Sequence, residues 1–157
     1  MISNIVITGK LSDVKLSAVK GIYQCECTLV VHSTDVKIRT RFRYHPKDGT
    51  YVDGDNVVVS GYLVPYLDGS KETLAIRASQ AAKICGPEGK INIVTLVGVI
   101  QHGKLLVRNF GRTFEISVVG ALPRTDSVHQ ATTMIAGNLV VMESGDLGIY
   151  CCDGGGE

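Results

Sequence analysis

The stretch Asn-Ile-Val-Ile-Thr-Gly-Lys-Leu at residues 4–11 decides the fold, because a similar stretch occurs a second time in the chain. With one residue inserted, it recurs as Asn-Ile-Val-Thr-Leu-Val-Gly-Val-Ile at residues 92–100. A second pair of similar segments follows in the same order: Val-Ser-Gly-Tyr-Leu at residues 59–63 and Ile-Ala-Gly-Asn-Leu at residues 135–139. Two similarities in one order indicate a repeated structural unit, so we predict that the chain consists of two related halves.

The linker between the halves is predicted at residues 86–89, where Gly-Pro-Glu-Gly combines residue types that interrupt regular structure. We therefore predict a first domain at residues 1–85 and a second domain, a shorter copy, at residues 90–157. The whole chain has 157 residues, so each of these domains is small.

Each half contains five segments with the composition and the turn boundaries of β-strands. The predicted strands are residues 4–14, 23–32, 36–44, 56–66 and 72–78, followed by residues 91–101, 104–109, 112–119, 133–142 and 147–152. Residues 79–84 fit a short helical turn, and residues 123–130 fit either a loop or one helical turn. Five short strands with a glycine in the first favour a small closed barrel, since closure leaves no long unpaired edge. An immunoglobulin-type sandwich needs about seven strands, so we predict an all-β fold of two tandem five-stranded barrels.

The composition excludes several classes of protein. Hydrophobic residues make up 45% of the chain, which is enough for a core and excludes wholesale disorder. Sixteen Lys and Arg against fifteen Asp and Glu give a net charge of +1, so any electrostatic function must come from local clustering. No window reaches the roughly 18 apolar residues of a membrane span, and the N-terminus lacks the layout of a signal peptide. We expect an intracellular protein without a membrane partner: cytoplasmic or nucleoid-associated, or in the host cell if the chain is viral.

The five cysteines show no Cys-x-x-Cys pair and no nearby histidine at zinc-finger spacing. We expect them to be reduced thiols, with Cys25 and Cys27 as core residues on one face of a strand. A zinc half-site at Cys25 and Cys27 is the alternative, although no second pair of ligands is visible. We therefore expect no metal and no cofactor.

The segment most informative about function is Lys-Ile-Arg-Thr-Arg-Phe-Arg-Tyr-His-Pro-Lys at residues 37–47, which contains no acidic residue. Because side chains alternate between the two faces of a strand, one face receives a row of cations. We call this row the cationic stripe; it consists of Lys37, Arg39, Arg41, Arg43 and His45. Successive side chains of the stripe lie about 6.6 Å apart, because the strand rises by about 3.3 Å per residue. This spacing is similar to that of successive phosphates in an extended single strand of nucleic acid.

Like charges side by side on a sheet repel one another unless an anion relieves them. This repulsion favours anion binding at the cationic stripe, and nucleic acid is the natural polyanion. The alternative is a merely solvated face, with Glu26 of the neighbouring strand pairing with one arginine.

Aromatic side chains near the cationic stripe are candidates for base stacking, which contributes about 1–3 kcal/mol per base. The candidates are Tyr23, Tyr51, Tyr62 and Tyr66. Tyr66 lies next to the predicted Asp-Gly hairpin at residues 68–69, where burial is least expected, and packing remains the alternative for each tyrosine. Lys71 and Arg77 extend the cationic surface along the hairpin.

Residues 51–63, followed by a hairpin and by Leu-Ala-Ile-Arg-Ala at residues 74–78, resemble the last two strands of single-stranded DNA-binding proteins with an OB-fold. In that family a Gly-Asp turn, a valine-rich strand, a Gly-x-Leu motif and a protruding hairpin follow one another in this order. Residues 92–100 likewise resemble the opening strand of the family. The resemblance implies two OB-like barrels. The tryptophans that often stack bases in the family are absent here, and its acidic tail is reduced to Asp-Gly-Gly-Gly-Glu at residues 153–157.

The second half is poorer in basic residues, with six Lys and Arg against seven Asp and Glu over residues 81–157. Arg108 and Arg112 flank a predicted turn at residues 109–111, and Phe110 at its tip is a candidate for stacking on a base or for contacting a partner chain. This half is expected to supply a weaker part of a binding groove or an oligomer contact.

The sequence contains no nucleophile elbow, no phosphate-binding Gly-x-x-x-x-Gly-Lys loop and no His-Glu-x-x-His motif. We therefore expect neither an enzyme nor a small-molecule substrate. The leading hypothesis is a sequence-tolerant single-stranded DNA-binding protein acting in replication, recombination or repair. Single-stranded RNA stays open as a variant, because phosphate contacts and stacking do not distinguish the sugars. The alternative is a β-barrel protein-interaction or structural subunit of a replication or virion assembly, and a homo-oligomer also stays open.

Overall fold

The computed structural model describes residues 4–32, 34–85, 90–109, 111–120 and 132–151, which form ten β-strands. The strands are β1 (Ile5–Val19), β2 (Ile22–Val31), β3 (Lys37–Arg43), β4 (Asn56–Asp68), β5 (Lys71–Lys83), β6 (Asn92–Gln101), β7 (Lys104–Asn109), β8 (Arg112–Gly120), β9 (Thr132–Val141) and β10 (Leu147–Cys151). Five strands lie in each half, as predicted. The predicted linker at residues 86–89 and the segment at residues 123–130 lie outside the described residues.

Two strands, β1 and β5, end five residues later than the sequence predicts. β1 continues to Val19 through an irregularity between Ser12 and Lys15, where its pairing with β2 shifts register. β5 continues to Lys83, so the prediction of a helical turn at residues 79–84 was wrong. The physical reason is that pairing between β4 and β5 resumes after a shift next to Gly61 and extends as far as Val57 opposite Lys83.

The strands of both halves pair in the same order. In the first half β1 pairs with β2 and β4, β2 with β3, and β5 with β3 and β4, the β3–β5 pair being parallel. In the second half β6 pairs with β7 and β9, β7 with β8, and β10 with β8 and β9, the β8–β10 pair being parallel. The two similarities found in the sequence therefore correspond to equivalent strands. None of the helical segments in the described ranges is long and apolar enough to cross a membrane.

The core is built mainly by alternation of buried and exposed residues along the strands, which is clearest in β3. In β3, Ile38, Thr40 and Phe42 are buried while the residues between them are exposed. Cys25 and Cys27 of β2 are buried beside this strand as free thiols, in agreement with their predicted place in the core. Within the described residues no group of His, Cys, Asp and Glu side chains is arranged to hold a metal ion.

Two glycines at equivalent places allow neighbouring strands to approach closely. A Cβ atom on Gly61 of β4 would overlap the carbonyl oxygen of Arg77 in β5, and one on Gly137 of β9 would overlap the carbonyl oxygen of Tyr150 in β10. Backbone atoms occupy the space that a side chain would need, so only glycine fits.

The first strands of the two halves pair with each other. Ile5–Ile7 of β1 lie opposite Asn92–Val94 of β6 in an antiparallel arrangement, which joins all ten strands into one continuous sheet. The backbone N–H of Thr8 donates to the carbonyl oxygen of Ile91 at 2.8 Å, and the Ile91 N–H donates to the Thr8 hydroxyl at 3.0 Å. Within the second half, the buried Asn92 side chain hydrogen-bonds both backbone groups of Leu139, which ties the start of β6 to β9. This junction fixes the orientation of one half against the other.

We expect Gly61→Ala and Gly137→Ala each to lower the free energy of unfolding by about 1–3 kcal/mol, the usual cost of inserting atoms into a packed interior. Urea denaturation followed by circular dichroism measures this loss. Ser60→Ala, one residue from Gly61, is the control and should unfold close to the wild-type midpoint. Wild-type stability in both glycine variants would contradict the close approach.

Candidate functional site

The exposed face of β3 presents four cations. Lys37, Arg39, Arg41 and Arg43 are all exposed, and they alternate with the buried residues of the strand. The fifth member of the cationic stripe lies elsewhere: β3 ends at Arg43, and His45 caps a short 3₁₀ turn, Pro46–Asp48. Its Nδ1 accepts a hydrogen bond from the backbone N–H of Lys47 at 3.1 Å. The extension of one strand face as far as His45 was therefore wrong, because the proline after it begins a turn.

One carboxylate of the described residues contacts the cationic stripe. Glu26 Oε2 lies 3.8 Å from Arg39 Nη2, and the two side chains are 42% and 44% exposed. Glu26 also lies directly opposite Arg41 in the β2–β3 pair. An exposed pair of this kind contributes about 0–1 kcal/mol. A single acid facing four cations leaves the face positively charged.

The neighbouring strands extend this face with another cation and with aromatic rings. Arg77 of β5 lies opposite Arg41, and Tyr62 of β4 lies opposite Arg77. Further along β4, the half-buried ring of Tyr66 has its centroid 5.7 Å from Arg39 Cζ, within the range of a cation–π contact. The face is therefore continuous over β2, β3, β5 and β4, with arginines beside aromatic side chains.

The face ends in a cavity between the two halves of the chain. This inter-half cavity, of about 490 Å³, is lined on one side by the residues Arg39, Arg41, Tyr66 and Arg77. Arg112, the first residue of β8 in the second half, lines the other side. An adjoining concavity of about 570 Å³ is also lined by Tyr66 and Arg112, together with Glu72. No pattern in the sequence places Arg112 beside the hairpin of the other half.

The remaining predicted residues lie in different surroundings. Lys71 Nζ is 3.5 Å from Asp146 Oδ1, an exposed ion pair that links the β4–β5 hairpin to the second half. Arg43 and His45 line a separate depression of about 720 Å³. Arg108 is exposed on β7, outside the lining of the inter-half cavity, and Phe110 lies outside the described residues.

The tyrosines divide into core and surface residues. Tyr51 is only 7% exposed, and its ring contacts Phe42 and Tyr44 edge-on, at centroid distances of 4.8 and 5.8 Å. Tyr51 therefore packs in the core, and its ring has no exposed face on which a base could stack. Tyr23 is exposed and contacts Tyr44 edge-on at 5.9 Å. This leaves Tyr62 and Tyr66 as the tyrosines beside the arginines of the site.

Comparisons with known proteins agree with the all-β architecture. An engineered deletion variant of the single-stranded DNA binding protein from Thermus aquaticus is 16% identical, with a TM-score of 0.65 over 96% of this chain and 91% of that chain. The wild-type form of the same protein gives a TM-score of 0.63 at 16% identity, over 96% and 90% of the two chains. No protein-family model matches the sequence, and no curated protein matches it. The chain thus shares the fold of these proteins, as its resemblance to OB-fold sequences predicts.

The pKa of Tyr51 is raised above the ordinary tyrosine value, first because burial disfavours the phenolate and then because Cys25, Asp48 and Asp55 lie nearby. A raised pKa stabilises the folded chain below the unfolded tyrosine pKa of about 10, and this stabilisation is lost as pH rises through the folded value. Absorbance titration should therefore show one tyrosine that ionises at a pH above the ordinary tyrosine value. The late phase should vanish in Tyr51→Phe and persist in Tyr150→Phe; its persistence in Tyr51→Phe would contradict the assignment.

Proposed function

We propose that the protein is a non-enzymatic, sequence-tolerant single-stranded DNA-binding protein acting inside the cell in replication, recombination or repair. The observation that carries the proposal is the exposed row of Lys37, Arg39, Arg41 and Arg43, which lies beside Tyr66 on an open sheet face. A positively charged groove with aromatic platforms is the usual arrangement for binding a single strand without sequence preference. The fold shared with the Thermus aquaticus single-stranded DNA binding protein adds support.

A single strand fits this face better than a duplex does. The cations follow one another along an extended strand at about 6.6 Å, and a flexible chain of phosphates can adopt that spacing. A ring beside the arginines is useful only to unpaired bases, whose faces are free to stack. None of these contacts reads the sugar, so single-stranded RNA remains a variant ligand.

In each half the five strands pair in a closed ring, the fourth strand returning to the first. We further propose that these two rings are two OB-like domains, residues 1–85 and 90–157. The repeated strand order and the equivalent glycines support this division. The cationic stripe belongs to the first domain, so the two domains take unequal parts in the proposed binding.

The second candidate function is a protein-interaction or structural subunit, and it is favoured by an apolar surface on the second half. Ile93, Val97 and Met134 are 56%, 53% and 67% exposed on the adjacent strands β6 and β9, with Val97 directly opposite Met134. A subunit with only this role would bind oligonucleotides weakly at every salt concentration, which separates the two functions.

The test of the proposed function replaces the three arginines of the stripe at once. Arg39→Ala/Arg41→Ala/Arg43→Ala should fold normally, because all three side chains are exposed, and should lose most affinity for a dT oligomer of about 20–30 nucleotides, which is longer than the ~4–16 nucleotides covered by one OB-fold. Fluorescence anisotropy of labelled dT at several salt concentrations measures the affinity and its dependence on salt. For the wild type, log affinity against log salt should fall with a slope of about −0.7 per phosphate neutralised, and the variant should show a shallower slope.

The matched control removes three exposed lysines from other surfaces: Lys10→Ala/Lys90→Ala/Lys104→Ala. It loses the same net charge, so its affinity should fall far less if the position of the cations matters. Equal losses in the two triple variants, or unchanged affinity in the arginine variant, would remove the cationic stripe from the mechanism.

Glu26→Gln should have the opposite effect and raise affinity for dT. The Glu26 carboxylate lies against Arg39 and opposite Arg41, where it repels an incoming phosphate. Two unit charges about 7 Å apart in water interact by about 0.6 kcal/mol, so we expect about a threefold gain at low salt. Glu143→Gln, on an exposed turn of the second half, is the control. An unchanged or lower affinity in Glu26→Gln would show that the carboxylate does not compete with the ligand.

A further inference from the structure

The second half lacks a cationic stripe of its own. β8 occupies the position in its half that β3 occupies in the first, since both follow the second strand and pair in parallel with the fifth. Phe114, Ile116 and Val118 are its buried residues. The residues that alternate with them are Thr113, Glu115, Ser117 and Val119, which include no cation and one acid. The equivalent surface of the second half is therefore unsuited to a row of phosphates.

The second half instead contributes one cation to the face of the first half. Arg112 is exposed at the start of β8, and it lines both the inter-half cavity and the adjoining concavity. Tyr66 lines the same two spaces. Arg112 and Tyr66 therefore belong to one pocket, although they lie in different halves of the chain.

Two sets of contacts join the halves on either side of this pocket. The β1–β6 pairing joins the halves through backbone hydrogen bonds, and the Lys71–Asp146 ion pair links the β4–β5 hairpin to the second half at a further point. The volume of about 490 Å³ lies within the ~300–1,000 Å³ of small-molecule sites. The pocket is therefore of a size that accepts a group as large as a small molecule.

Tyr66 is in contact with a cation in the free protein. The guanidinium of Arg39 lies over its ring at 5.7 Å and is at the same time 3.8 Å from the Glu26 carboxylate. A base stacked on this face of the ring would displace the guanidinium, which would then be available to a phosphate. Arg112 lines the same pocket and supplies it with a cation from the second half.

We propose that Arg112 and Tyr66 form one nucleotide-binding subsite between the halves, in which a base stacks on Tyr66 while Arg112 and Arg39 hold the flanking phosphates. The second half thus acts as a wall of the groove on the first half, and the chain has one composite binding groove. This inference rests on the proposed function.

The test is a double-mutant cycle on affinity for the same dT oligomer. Tyr66→Leu should lower affinity about tenfold, within the range of one lost stacking contact. Arg112→Ala should lower it about fivefold and reduce the salt slope by about 0.7, the value for one phosphate. The double variant should lose about ten- to fifteenfold, well below the roughly fiftyfold product, because residues that share one ligand group are not additive.

The control cycle combines Tyr66→Leu with Lys104→Ala, an exposed cation on β7 that lines neither space containing Tyr66. In this control cycle the fold-losses of affinity caused by the two single substitutions should multiply in the double variant. Multiplicative losses for Tyr66 and Arg112, or an Arg112→Ala variant that behaves like Lys104→Ala, would overturn the composite subsite while the proposed function stands. A wild-type protein that does not bind dT would overturn both.

Discussion

The arrangement of the molecule depends on the pairing of two strand beginnings, Ile5–Ile7 of β1 and Asn92–Val94 of β6. A long, coiled first strand cannot pair with both neighbours along its whole length. β1 pairs with β4 from Ile5 to Lys10 and with β2 from Gly9 onward, so its first residues have one free edge within their own half. An unpaired edge exposes backbone donors and acceptors, and the corresponding edge of β6 satisfies them. The inter-half cavity lies where this junction places β8 beside the β4–β5 hairpin.

The concentration of charge on β3 is possible because of what lies beneath it. Burial of Ile38, Thr40 and Phe42 fixes the strand with its cations outward, and the aromatic contacts of Phe42 with Tyr51 anchor its end. Mutual repulsion of four cations opposes this arrangement, and Glu26 relieves a small part of it. This repulsion costs the folded chain stability, and under the proposed function a bound polyanion would relieve it and so favour binding.

Much of the fold can be predicted from local sequence, because alternation of apolar and polar residues indicates strands. Glycines within the strands indicate where two backbones approach closely. The equivalence of Gly61 and Gly137 was visible in the sequence and corresponds to equivalent strand contacts. The continuation of β5 to Lys83 could not be predicted from the sequence. Residues 79–83 are small or polar, and they form a strand only because they pair with β4. The burial of Tyr51 likewise depends on tertiary contacts, with the rings of Phe42 in β3 and of Tyr44 just after it. The four cations of β3 were identified from alternation alone, whereas the place of Arg112 depends on contacts between residues far apart in the chain.

The parallel pairing of β3 with β5 has a consequence for the time course of synthesis. β3 has no partner on one side until the chain has passed through β4 and returned along β5, so the first ring of strands is complete only when Lys83 has emerged. From then until residues 92–94 have also emerged, the beginning of β1 remains an unpaired strand edge. A nascent chain halted between these points would offer that edge to another copy of itself, and the short distance from Lys83 to Asn92 keeps this interval brief.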